Sequence, residues 1–238
     1  MILTPVKTPL VVKKMFPNYV WDIPTNDKIL YLTFDDGPTP VITNWVLNTL
    51  KSFDAKATFF CIGKNIETHP DIFKNILNEG HAIGNHTHNH IKGWKTSAED
   101  YLTNVLKAEE VMSAEFKIQS LKVRKTTDSE TDIQQSTIEN QQSTINNLFR
   151  PPYGQITLKQ GKELMKLGYK IIMWDVISFD WDKAISEETC LNNVIRKSTN
   201  GSIIVFHDSI KASKNMQYAL PKTLEYFSGK GYVFKTII

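Results

Sequence analysis

Residues 28–63 read KILYLTFDDGPTPVITNWVLNTLKSFDAKATFFCIG. The first run places Ile29, Leu30, Leu32 and Phe34 in a nearly unbroken apolar stretch that ends on two carboxylates, as a buried strand would. The second, TPVITNWVLNTLKSF, repeats apolar residues at helical spacing through Val41, Trp45, Val46 or Leu47, and Leu50. KATFFCIG then returns to a strand pattern. Strand, helix and strand in so short a span predict a repeating β-α unit.

The alternation continues downstream. HPDIFKNILNEG reads as a helix with Pro70 near its start and Gly80 as its stop. HAIGNHT reads as a strand, and TSAEDYLTNVLKAEEVMSAEF as a long helix that Ser97 and Asp100 can cap. NLFRPPYG is followed by helix LKQGKELMKLG, strand YKIIMWDV, helix ISEETCLNNVIRKST, strand GSIIVFHD, helix NMQYALPKTLEYFSGKG and strand YVFKTII. Such a pattern predicts mostly parallel strands with helices outside, as a barrel or an open sheet. In barrels the chemistry sits at the C-terminal ends of strands. The polar clusters fall at those ends: Asp35-Asp36, His86 to His90, Asp175 onward and His207-Asp208.

A single domain over 1–238 is expected, with residues 1–28 as an N-terminal extension. Residues 118–146 break the pattern, being poor in large apolar side chains and carrying QQSTI twice, at 134–138 and 141–145. Two copies are too few to stack a solenoid, so an exposed polar insertion is expected.

Hydrophobic residues at 41% supply a sizeable core without help from a metal or disulfides. A net charge of +3, with no basic stripe, argues against a nucleic-acid partner. Cys61 and Cys190 are far apart in sequence and make no disulfide framework; buried thiols in a reducing compartment are expected. MILTPVKTPLVVKKMFP is interrupted by Pro5, Lys7 and Pro9, so it shows no signal-peptide core. No run of about 20 apolar residues predicts a membrane span. A cytoplasmic location is the literal expectation, with export by another route left open.

Five segments carry chemistry. Adjacent Asp35 and Asp36 in TFDDGP point to opposite sides of an extended backbone, so one can ligate a metal while the other reaches water; a capped turn is the plainer alternative. In GNHTHNH, His86 and His90 stand four apart, one helical turn, and His88 points away from that pair in a helix. Three of six histidines lie within five residues, which favours a metal site over a polar loop. FRPPYG fixes Arg150 and Tyr153 on a stiff loop, where the arginine can orient a carboxylate. WDVISFDW brings Asp175 and Asp180 beside Trp174 and Trp181, side chains that suit a sugar face, an acetyl methyl or the core. SIIVFHDS ends a buried strand on His207, which can act as a general acid or serve packing.

Taken in this order, TFDDGP, H-x-x-x-H, RPPY, a D-W ending and an apolar strand ending in HD resemble the polysaccharide deacetylases of carbohydrate esterase family four. The resemblance runs from Ile29 to about Ile238, omitting 118–146. It implies a distorted (β/α) barrel and a hydrolase that removes N-acetyl groups from N-acetylated oligo- or polysaccharides. It implies Asp36, His86 and His90 as ligands of a divalent metal, usually zinc, with cobalt or another ion possible. Asp35 would be the general base, His207 the acid that protonates the leaving amine, and Arg150 the residue that positions Asp35. The backbone N–H of Tyr153 would serve the oxyanion. Trp181 and Ile204 would wall the acetyl pocket, with Asp180 beside them at the substrate. One position departs: the acidic residue expected to pair with the arginine is Ile177 here, leaving Asp175 and Asp180 as its nearest substitutes. A hydrolase of small amides or imides, or a catalytically silent carbohydrate-binding protein, are the alternatives on this barrel.

Overall fold

A computed structural model describes residues 5–126 and 147–238. The elements are α1 (Leu10–Met15), β1 (Ile29–Asp35), α2 (Ile42–Lys51), β2 (Ala57–Cys61), α3 (Gly63–Thr68), α4 (Pro70–Asn78), β3 (Ala82–Asn85) and α5 (Ala98–Thr126). Then come β4 (Leu148–Phe149), α6 (Leu158–Lys166), β5 (Lys170–Ile171), β6 (Val176–Ile177), α7 (Glu187–Ile195), β7 (Ile203–His207), α8 (Ser213–Ser228) and β8 (Val233–Phe234). The strands form one parallel sheet in the order β5-β4-β3-β2-β1-β7-β6, and β8 adds to β1. This curled sheet is the distorted (β/α) barrel expected.

Strands β1 and β2 are buried along their whole length because the sheet packs on both faces. The two faces divide by the period of two. Leu30, Leu32 and Phe34 join Phe59, Ile204, Phe206 and the helices in the outer core. Ile29, Tyr31, Phe60, Leu148, Ile172 and Ile203 fill the barrel interior. Strand register aligns the polar ends: Asp35 lies level with Phe60 of β2 and with His207 of β7. The C-terminal ends of three strands therefore open onto one rim.

YKIIMWDV is not one strand. Its apolar continuity hides a break, with Lys170–Ile171 pairing to β4 and Val176–Ile177 pairing to β7. Because β5 and β6 are the two ends of the strand order yet only five residues apart in sequence, the sheet edges lie within about 18 Å. The N-terminal segment fills the break through bridges Val20↔Ile172 and Lys7↔Val176. Buried Tyr19 and Trp21 anchor it.

Helix α5 is capped by Ser97, whose Oγ accepts from Asp100 N at 3.1 Å. Its buried side runs Tyr101, Val105, Ala108 and Met112. The helix continues to Thr126, so residues 118–126 extend it. The rest of that polar stretch, with both QQSTI copies, lies outside the described residues. Cys61 and Cys190 are buried thiols. Among the described residues no helix is long and apolar enough to cross a membrane.

Candidate active site and metal centre

Asp35 closes β1 on the barrel side, and the chain then turns so that Asp36 takes φ 79°. Gly37 is required next: a Cβ there would meet Asp208 Oδ2 at 2.0 Å. Asp208 latches the turn, accepting from Gly37 N at 3.0 Å and from Thr43 Oγ1 at 2.5 Å. Burial pushes its carboxyl up to about 7. Asn65 Nδ2 donates to Asp36 O at 2.7 Å and fixes the turn from the other side.

His86 and His90 reach Asp36 from a loop and not from the helix that their one-turn spacing suggests. Thr87 and His90 both have left-handed backbones, at φ 64° and 54°, and these bends aim the two rings at one point. Asp36 Oδ1 lies 3.2 Å from His90 Nε2 and 3.7 Å from His86 Nε2. The three ligand atoms lie within 4.8 Å of one another. His86 Nδ1 donates to Arg150 O at 2.7 Å, which leaves Nε2 with its lone pair toward the cluster. Burial lowers the His86 pKa to about 4, so the ring is neutral. For Asp36, burial alone would raise the pKa; the close approach of His90 and the charge of His207 outweigh it and hold the carboxyl ionised. Asp36 Oδ1 is buried with no donor aligned on it. A neutral imidazole, a carboxylate and a second imidazole converge on a point that no protein donor satisfies. That donor set fits a divalent cation with coordination positions to spare. His88 is turned away, its Nε2 3.6 Å from Glu67 Oε2.

Arg150 is 0% exposed and spends its donors inside the barrel. Nη1 donates to Asp35 Oδ1 at 2.7 Å and to Thr33 Oγ1 at 2.6 Å. Nε and Nη2 donate to Ile172 O and Met173 O, at 3.2 and 2.8 Å, while the guanidinium lies 4.1 Å from the Phe60 ring centre. Neither Asp175 nor Asp180 replaces the acid absent at Ile177, whose side chain lines the cavity instead. Asp175 pairs with Lys7 and Lys13.

Asp180, which the resemblance sets at the substrate, is buried behind His207 and is not among the residues that line the cavity. Its Oδ1 holds His207 Nδ1 at 2.8 Å and its Oδ2 accepts from His207 N at 2.6 Å, leaving Nε2 for the cavity. Burial opposes a charge on His207, but Asp180, then Asp36 and Asp35, raise its pKa to about 9. The imidazolium therefore persists through neutral pH and is lost as pH rises through about 9. Its contribution to stability has the same sign, present in full below the ordinary histidine pKa and gone above about 9. Activity that needs this proton should fall along an alkaline limb. Asp180→Asn removes the main charge that favours the cation, so that limb should move down by about 1–3 pH units in a pH–rate profile. An unmoved limb would detach it from His207.

These groups face a cavity of about 440 Å³ whose walls include Tyr153, Trp174, Trp181, Val205 and Lys211. Ile204 is not among them. It alternates outward into the core with Phe34, and Val205, one residue on, is the inward neighbour. The strand period shows this once His207 is placed inward. Lys211 carries no signal in sequence. Trp181 meets the His207 ring edge-on at 4.7 Å. Tyr153 is 55% exposed, has φ 60° and lies 4.6 Å from the His90 ring.

An arginine-held carboxyl group and a protonated imidazole on either side of a cation-type ligand set define a hydrolase site at the mouth of a (β/α) barrel. Residues 22–172 match the family model described as polysaccharide deacetylase, and the chain belongs to that family, carbohydrate esterase family four; it is a carbohydrate deacetylase. It is 33% identical over 223 residues to a peptidoglycan-N-acetylglucosamine deacetylase of Bacillus cereus, covering 92% of this chain and 70% of the relative. It is 32% identical to chitin deacetylase 2 of Saccharomyces cerevisiae, over 81% of this chain and 54% of that protein. The solved Bc1960 peptidoglycan N-acetylglucosamine deacetylase, in complex with 4-naphthalen-1-yl-N-oxidanyl-benzamide, superimposes with a TM-score of 0.77 at 32% identity. That alignment covers 97% of this chain and 95% of the other.

Proposed function

We propose that this chain removes the N-acetyl group from N-acetylglucosamine units of a glycan, with peptidoglycan the first substrate to try and a divalent cation as cofactor. The observation that carries the reading is the convergence of three groups in one cavity. Asp36, His86 and His90 stand at its centre, the Arg150–Asp35 pair on one side and the Asp180–His207 pair on the other.

Asp36 Oδ1 and the Nε2 atoms of His86 and His90 would hold the cation, zinc being the usual choice for this donor set. Bound there, it supplies Lewis-acid polarisation and a lower pKa for water. The compound in the Bc1960 structure is an N-hydroxyamide, a class of metal chelators, and this supports a cation cofactor. Asp35 takes a proton from the attacking water, and Arg150 keeps that carboxylate turned to the cavity. The water oxygen bonds to the acetamide carbon, and the backbone N–H of Tyr153 stabilises the charge that develops on the carbonyl oxygen. His207 Nε2 gives its proton to the sugar nitrogen as the C–N bond breaks, because an amide ion cannot leave unprotonated. Acetate and a free amine result. Trp181 and Val205 flank the place where the acetyl methyl would sit.

The substrate is tested by incubating the protein with N-acetylglucosamine oligomers and with peptidoglycan fragments, then locating new free amines by mass spectrometry. Amines confined to glucosamine are expected. Amines on no glycan, from protein that hydrolyses small amides instead, would replace this reading. His86→Ala should abolish stoichiometric zinc binding in calorimetry; full retention would remove it from the ligand set.

A further inference from the structure

The buried Arg150 pairs with Asp35 through Nη1, while its Nε and Nη2 donate to two backbone carbonyls. We infer that residues 6–22 form a strap that fixes the backbone carbonyls that aim Arg150 and, through it, Asp35. The inference rests on the deacetylase reading of the cavity.

The two carbonyls belong to Ile172 and Met173, in the break between β5 and β6. A carbonyl on such a stretch orients an arginine only as well as the stretch itself is held. The strap holds it through a series of hydrogen bonds. Val20 N donates to Ile171 O at 2.9 Å, and Met173 N donates to Val20 O at 2.7 Å. Thr8 donates through its backbone N to Asp175 O at 2.8 Å and through Oγ1 to Trp174 O at 2.7 Å. Ile177 N donates to Val6 O at 2.9 Å. An ionic clamp locks the arrangement: buried Asp175 takes Lys13 Nζ at 2.6 Å, Lys7 Nζ at 3.0 Å and Ser202 Oγ at 2.6 Å. Lys13, in α1 at the middle of the strap, also contacts Asp22 at its end.

The held stretch is part of the active site as well as of the scaffold. It supplies Trp174 to the cavity wall and ends on Ile177, which lines the same wall. Most of the strap precedes residue 22, where the family match begins. Lys7, Lys13 and Thr8 are therefore positioning residues that act on Asp35 through Arg150.

The test uses the full chain carrying Lys7→Met/Lys13→Met, with Lys13→Arg as the conservative control and Thr8→Val as a milder cut. The first readout needs no substrate: the exchange rate of the Arg150 Nε–H with solvent, by NMR. It should rise about tenfold or more in the double variant, rise less in Thr8→Val, and stay near the parent value in Lys13→Arg. The second is kinetic: kcat should fall about tenfold or more with KM within about twofold, since misplacing a catalytic group by a fraction of an ångström acts on the chemical step. Unchanged exchange, or faster exchange with unchanged kcat, overturns the inference. A parent that releases no acetate refutes the deacetylase reading instead, and the exchange rate still decides whether the strap aims Arg150.

Discussion

Asp35→Asn should lower kcat by a factor of about 10² to 10⁴, the usual share of a general base, while leaving zinc binding and KM close to the parent values. The substitution is isosteric, and the amide oxygen can still accept from Arg150 at the position Oδ1 now holds, 2.7 Å from Nη1. It removes the one property the proposed mechanism needs, a basic oxygen facing the cavity beside the ligand cluster. Separating kcat from metal affinity matters because Asp36 is the adjacent residue. A variant that loses zinc would point to collapse of the turn, and a variant with full kcat would assign the proton to another group. Calorimetric zinc binding alongside steady-state kinetics distinguishes the three outcomes.

Arg150→Met should be the most destabilising single change at the site. The guanidinium is fully buried and serves four acceptors: Asp35, Thr33 and the carbonyls of Ile172 and Met173. Its removal strands a buried carboxylate, and breaking one half of a buried ion pair costs about 3–5 kcal/mol. For a chain of this length each kcal/mol moves Tm by about 2–4 °C, so a fall of about 10 °C is expected in scanning calorimetry. Combining it with Asp35→Asn should cost less than the sum of the two, because the second change removes the charge the first leaves unpaired. A strictly additive pair, or a Tm within a degree or two of the parent, would show that the pair is not coupled.

Much of the barrel is legible in the sequence because its signals are local. The apolar runs that end at Asp35, Cys61 and His207 mark strands, and parallel connections bring their C-terminal ends to one rim. Where local reading fails, the reasons are identifiable. The resemblance sets Ile204 on the cavity wall, although alternation from an inward His207 places Val205 there. Helical spacing counts Val41 with the apolar face of α2, yet it sits outside that helix at φ 68° and is exposed. The spacing of His86 and His90 suggests a helical turn; two left-handed residues achieve the same convergence in a loop, and backbone sign leaves no mark in a histidine-rich run. The break inside YKIIMWDV is invisible because both halves are apolar. The partner that fills it is far off: Lys7 meets Asp175 across 168 residues, and no window of sequence carries that contact. The resemblance sets Asp180 at the substrate beside Trp181, whereas its carboxylate faces back toward β7.

The most direct measurement is acetate release from N-acetylglucosamine oligomers by the purified protein, first as isolated, then after chelation, then with zinc restored. Release that stops with chelator and returns with zinc is the result expected from a cavity in which Asp36, His86 and His90 hold a catalytic cation. Release that continues undiminished after the protein has been shown to be metal-free would contradict it.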